Sequence, residues 1–216
     1  MARFRFDDAE KYGNQTTSTG FFGLKDDGDV ARVRFMYRDM NDVEGLAVHE
    51  IEIDGRRRYV NCLRSYDEPL DNCPFCKSGR FQLAKLYIPL YDVDSNTVKV
   101  WERGKKFFGK ISSICTRYGR DGEICSHVFE IERHGKKGDQ TTTYEIYEVD
   151  KDDTTLDDLP ELPKIVGSIV LDKNADEMRE YLETGSFGDS PAPVRRDSNR
   201  EPIRRRTPAT SDREVF

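Results

Sequence analysis

The sequence lacks the features that would place it in a membrane or send it out of the cell. No run approaches the ~18 consecutive apolar residues of a membrane span, and Met1–Glu10 has no apolar stretch of the secretory kind. Histidine is scarce, at three residues, and there is a single tryptophan. No acidic cluster has metal-ligand spacing and no His-x-Glu pair of the zinc deaminases is present, so the direct signals of a nucleic-acid enzyme are missing. No internal repeat is apparent. Apolar residues make up only 36% of the chain, which suits a modest core in a reducing, cytosol-like compartment. There, five cysteines read as metal ligands or buried thiols before disulfides.

What is present is concentrated. His49, Cys62, Cys73 and Cys76 fall within 28 residues, spaced His-x12-Cys-x10-Cys-x2-Cys. Four nitrogen and sulfur donors at that spacing predict one closed, tetrahedral, structural zinc; a catalytic zinc keeps a position open, and four protein ligands leave none. A redox pair at Cys73 and Cys76, or chance clustering, are the competing readings. Cys115, on the apolar face of a predicted helix, reads as a buried thiol. His127 and His134 are not expected to be ligands.

Basic and aromatic residues are threaded through and after this knuckle: first Arg56, Arg57, Arg58, Tyr59, Arg64 and Tyr66, then Lys85, Tyr87, Tyr91, Trp101, Arg103, Lys105 and Lys106. Interleaving of this kind suits single-stranded nucleic acid, because every base has a face to stack and every nucleotide a phosphate. The plainer readings are that aromatics in strands are core and that three arginines at a turn are a solvated surface. The formal charge of -6 does not oppose a basic patch, because residues 151–184 alone carry 4 Lys+Arg against 10 Asp+Glu.

Alternation predicts a strand at Val30–Phe35, and hairpins at 46–53 with 57–63, 84–93 with 97–101, and 126–133 with 141–149. Asp54-Gly55 is a strong two-residue turn signal, and in its register residue 49 faces residue 60. His49 and Cys62 are then diagonal neighbours ~7–8 Å apart, a span that a metal bridges. Cys73–Cys76 closes the site as a tight turn. A helix opening at Gly104 carries Phe107, Phe108, Ile111 and Ile114 on one face. A second helix has Asn174 as N-cap with Glu177 three residues on, a buried stripe of Met178, Tyr181 and Leu182, and Gly185 as stop.

The expected fold is mainly β with minor α: a five-stranded Greek-key OB barrel over residues 21–184, with a zinc hairpin insertion at about 46–80. Residues 1–20 are expected to be a flexible arm. Residues 185–216, rich in Pro, Ser and Arg, are expected to be a disordered tail.

The run His49-x12-Cys62 followed by Cys73-Pro74-x-Cys76, with Val30–Phe35 before it and Gly104-Lys105-Lys106 after it, resembles the zinc-containing single-stranded DNA-binding proteins of T-even phages. The similarity covers roughly residues 20–150. The resemblance implies an OB-fold with a zinc-stabilised subdomain and a basic, aromatic-lined cleft for single-stranded DNA. It places Trp101 at an aromatic base contact and Arg58 and Tyr59 in the zinc hairpin. It further implies a non-catalytic protein that coats and protects single strands in phage DNA replication, recombination and repair, in the cytoplasm of the infected bacterium. Two departures stand out. Arg3 and Arg5 are followed by Asp7, Asp8 and Glu10 where that family has a basic arm, and the tail is Arg-rich where the family's is acidic. The tip, Glu214, Val215 and Phe216, still resembles acidic, aromatic-ended tips, which implies docking to phage polymerase, helicase/primase or recombinase. The alternative is a zinc-ribbon module for protein interaction or transcription, which would need a basic recognition helix beside the knuckle.

Overall fold

A computed structural model describes residues 20–188, apart from 121, 137 and 140. The expectations for the N-terminal arm before residue 20 and for the tail beyond 188, including Glu214, Val215 and Phe216, lie outside the described residues. Nine strands form one sheet: β1 (Gly20–Phe21), β2 (Val30–Phe35), β3 (Gly45–Ile53), β4 (Arg56–Asn61), β5 (Leu83–Asp92), β6 (Thr97–Gly104), β7 (His127–His134), β8 (Thr143–Lys151) and β9 (Val170–Leu171). Helices α1 (Pro74–Lys77), α2 (Phe108–Tyr118) and α3 (Ala175–Thr184) decorate it. None of the described helices is long and apolar enough to cross a membrane.

The Asp54-Gly55 turn forms as its sequence demands. Both residues have positive φ, 52° and 73°, the requirement of the two-residue turn whose twist matches a hairpin. It pairs β3 with β4 and sets His49 opposite Val60, in the register expected. Strand β5 is the hub. One edge pairs with β3 through Leu83–Leu86 and with β2 through Leu90–Asp92, and the other edge pairs with β6 along its length.

The sheet is not the five-stranded barrel expected. Its path, β8-β7-β2-β5-β3-β4-β9, has two ends, and β6 with β1 branches from β5, so the ladder is mixed and open. The splitting of one β5 edge between β2 and β3 sends the two outer hairpins apart instead of round to meet. The parallel pairs, β1 on β6 and β4 on β9, involve strands of two residues each, too short to show alternation.

The main core gathers Val33, Phe35, Leu86, Ile88, Leu90, Trp101, Ile111, Phe129 and Ile131. A second core joins the knuckle to α3: Ile51, Val60, Cys73, Phe75 and Cys76 pack with Met178, Tyr181 and Phe187. The α3 caps are as read, with Asn174 and Glu177 closing a capping box and Gly185 left-handed at φ 79°. Its stripe needs correcting. Leu182 is 37% exposed, and Phe187 beyond the helix takes the third place. Phe108 in α2 is also exposed, and the buried face there is Ile111 and Cys115 with Phe107 and Ile114 half-buried. Tyr181 fastens α3 to the β3–β4 hairpin, its Oη donating to the Glu52 carbonyl at 2.7 Å.

Candidate functional site

The hairpin and the knuckle bring four ligand atoms together. β3 supplies His49, fully buried; Cys62 follows the end of β4; Cys73 caps α1 and Cys76 lies within it, where Pro74 at the first turn loses no hydrogen bond. The four atoms all lie within 4.8 Å of one another. His49 Nε2 is 3.4 Å from Cys73 Sγ and 3.5 Å from Cys76 Sγ, and Cys62 Sγ is 3.7 Å from Cys76 Sγ. A tetrahedral zinc with bonds of ~2.0–2.3 Å has ligand edges of ~3.6–3.8 Å, so these separations fit one.

The surroundings set His49 in its ligating form and turn hydrogen-bond donors towards two of the sulfurs. The Phe81 carbonyl can only accept, so His49 Nδ1 donates to it at 3.0 Å and Nε2 turns its lone pair to the sulfurs. Burial holds the His49 pKa below the usual imidazole range, which favours the neutral ring. Burial pushes the Cys62 thiol up to about 11, so that without a cation it keeps its proton at neutral pH. Two donors point at sulfur: Arg64 Nε at 3.3 Å from Cys76 Sγ, and Gln82 Nε2 at 3.2 Å from Cys62 Sγ. Such contacts stabilise thiolates, the form a metal needs. Cys115 and Cys125 are buried thiols elsewhere, raised by burial to about 11 and about 12.

Beside this centre opens a cleft of about 1310 Å³, walled by the β3–β4 hairpin and knuckle on one side and by the start of α2 and the β7–β8 hairpin on the other. Eight of its lining side chains are cationic, against the two carboxylates Glu50 and Asp139. Eight of the thirteen residues predicted to contact nucleic acid line it: Arg57, Tyr59, Arg64, Tyr66, Lys85, Arg103, Lys105 and Lys106.

The other five do not. Arg56 and Arg58 are exposed at the start of β4, outside the cleft lining. Tyr87 is buried beneath Val170 and Ile165, and Tyr91 packs beside Met36 and Leu156 with its hydroxyl on Asn96. Trp101 is the clearest correction. It is wholly buried, edge-on to Phe22, Phe107 and Tyr144 at 4.8–5.4 Å, and has no surface to offer a base. β6 is buried on both faces at its centre, where Val100 and Trp101 are equally inaccessible. Tyr59, only 7% exposed, serves as a shelf for Lys85, whose ammonium lies 4.5 Å from the ring centre.

Sequence reasoning missed Lys110, Arg133 and Tyr144. A signal existed for Arg133: it follows Phe129 and Ile131 at alternate positions of β7, on the face that enters the core. With Arg103 it forms the cleft floor. The Arg103 guanidinium lies between Trp101 and Tyr144, 4.3 and 4.2 Å from the ring centres. Arg133 is 8% exposed and donates to Tyr144 Oη, Lys136 O and Thr142 Oγ1 at 3.1–3.2 Å. Both Nε atoms are buried without a hydrogen-bond partner. Among the described residues, neither guanidinium has a carboxylate within ion-pair distance. Burial therefore pulls the Arg103 pKa down. Buried cations normally come with counter-charges, so the floor carries positive charge that no nearby carboxylate among the described residues balances. No protein-family model matches the chain, and no curated protein is similar to it.

Proposed function

We propose that the protein is a non-catalytic single-stranded DNA-binding protein, with one structural zinc on His49, Cys62, Cys73 and Cys76 shaping one wall of the binding cleft. The observation that carries this reading is the pair Arg103 and Arg133: one half-buried and one buried guanidinium, each with a buried, unpartnered Nε and no carboxylate within ion-pair distance among the described residues, at the floor of a cleft with a large excess of cations. A phosphodiester backbone supplies the missing charge along a track, and aromatic neighbours suit unpaired bases. The α-helix of the knuckle, α1, has four residues and the 3-10 turn before it, Leu70–Asn72, has three, both too short to be a recognition helix for duplex DNA. The resemblance at the zinc ligands favours a role in protecting single strands during phage replication, recombination and repair, alongside a polymerase, helicase/primase or recombinase.

The test is anisotropy of a labelled dT oligomer and of a matched duplex, over a range of salt. The single strand is expected to bind more tightly and to weaken with salt. The double variant Arg103→Met with Arg133→Met should weaken binding and flatten the salt dependence by ~1.4 in log–log slope, the share of two phosphates on a single strand. Equal affinity for duplex, or a double variant with the parental slope, overturns the proposal.

A further inference from the structure

A second groove, sharing no lining residue with the cleft, lies at the notch between the end of β2 and the start of β3. It encloses about 430 Å³, and Met36, Leu46, Pro89, Leu156, Leu162 and Ile165 give it an apolar lining. Leu162 is 45% exposed there. The rim is acidic. Arg38, Asp42 and Glu44 are the charged residues of the lining, and the Arg38 guanidinium is already balanced by Asp157 at 2.6 Å and Glu123 at 3.6 Å. Asp42 accepts the Arg38 amide, but among the described residues neither Asp42 nor Glu44 has a cation within ion-pair distance. Both are exposed. Such a groove suits an aliphatic side chain with cations beside it.

The sequence beyond residue 188 carries that pairing. Pro202-Ile203-Arg204-Arg205-Arg206 sets a β-branched apolar residue against three arginines with no acid among them, and Pro193-Val194-Arg195-Arg196 is a shorter version. Ile203 follows Gly188 by about 15 residues, a reach of up to ~50 Å, whereas Val194 reaches only ~20 Å. A folded body of this size is ~40 Å across, so Ile203 has every face within range. The main cleft, with eight cationic side chains, repels an arginine run. We propose that residues 202–206 dock in the second groove of their own chain, with Ile203 on its apolar floor and the arginines against Asp42 and Glu44. The tether supplies an effective concentration on the order of mM, and Pro202 lowers the entropy that docking must freeze. Docked there, the arginines are held away from the cleft.

The experiment uses the full chain without nucleic acid, with photoreactive benzoylphenylalanine in place of Thr207 and the crosslinks mapped by mass spectrometry. They should fall within one chain, on residues 36–46 or 156–166. Ile203→Ala and Glu44→Lys should each abolish them. Hydrogen exchange supplies the second readout, on the chain with Thr207 retained. At mM effective concentration, a segment of ~0.1 mM intrinsic affinity is ~90% docked, so either substitution should speed exchange of the amides it shields by about 10-fold. Glu132→Lys, on β7 opposite Glu145, makes the same charge change elsewhere and should alter neither readout. Glu44 is exposed and Ile203 lies beyond the folded body, so the fold should survive; zinc content and Trp101 emission check that it does. Crosslinks to the main cleft, to the β7–β8 hairpin or between two chains overturn the inference. So does groove exchange unmoved by Ile203→Ala, or an equal response to Glu132→Lys.

Discussion

Stripping the metal from the intact protein should free helix α3, although α3 contributes no ligand. Phe75 is the link. It lies edge-on to His49 at 5.5 Å on one side and to Tyr181 at 5.7 Å on the other, and it is wholly buried. Without a metal to join them, Cys73 and Cys76 are tied to His49 only by packing and weak sulfur contacts, and the seat of Phe75 loosens. The docking energy of α3 comes mainly from Met178 and Tyr181, 0% and 6% exposed. At ~1.5–3 kcal/mol for each buried side chain, that is ~3–6 kcal/mol, or ~2–4 decades in the opening equilibrium. Hydrogen exchange read by mass spectrometry, with and without chelator, should show amides of 175–184 exchanging ~100- to 10,000-fold faster, while those of β7 change little. Trp101 belongs to the other core and its emission should stay constant. Phe75→Ala with zinc retained should undock the same helix, at the ~3–5 kcal/mol typical of such truncations. Exchange in α3 that ignores chelation, or rises only as much as in β7, would refute this chain of contacts.

Zinc should be found once per chain by elemental analysis of protein purified without chelator; Cys73→Ser should abolish it, whereas Cys115→Ser should not, since Cys115 lies in the main core. Trp101→Ala should destabilise the fold by ~3–5 kcal/mol in urea denaturation followed by circular dichroism, because it empties the centre of that core; little change would mean that the site refills. Asp152 has its carboxyl held down to about 2, from 3.8, by the Arg34 guanidinium, so its contribution is complete above the unfolded value and is lost as pH falls from 3.8 towards 2. Asp152→Asn should therefore lower stability at neutral pH and flatten the acid limb of the stability profile between those values; an unaltered limb would remove the pair from the account.

The candidate metal site was legible because its determinants are local. Ligand identity and spacing stand in the sequence, and the Asp54-Gly55 turn alone fixes the pairing of His49 with Val60. The α3 caps were legible for the same reason. Sheet closure was not, since the choice of β2 and β3 as successive partners on one β5 edge depends on contacts far apart in sequence. Trp101 misled because Lys99 and Arg103 flank it on the same face of β6, which made that face read as solvated. The structure instead covers it with Phe22, just past β1, Phe107, just before α2, and Tyr144 of β8. Arg133 ends an apolar face, after Phe129 and Ile131, at the point where the core opens into the cleft.

The hub strand also has a mechanical consequence. Between its pairings with β3 and β2, the β5 edge is interrupted at Tyr87, Ile88 and Pro89, and Pro89 has no N–H to give a ladder. Along its opposite edge β6 runs unbroken from Lys85–Gly104 to Asp92–Thr97, splinting the gap. The walls of the cleft are thus joined by a twisted two-strand ribbon, and spreading them means changing the twist of a continuous ladder instead of swinging a loop. Such a ribbon behaves as a leaf spring: stiff against opening, with small elastic excursions about one rest width. On the proposed single-strand reading, the strand meets a gauge already set, so small-angle scattering profiles of the protein should show no contraction on adding a short oligomer, and affinity should carry little penalty for closure.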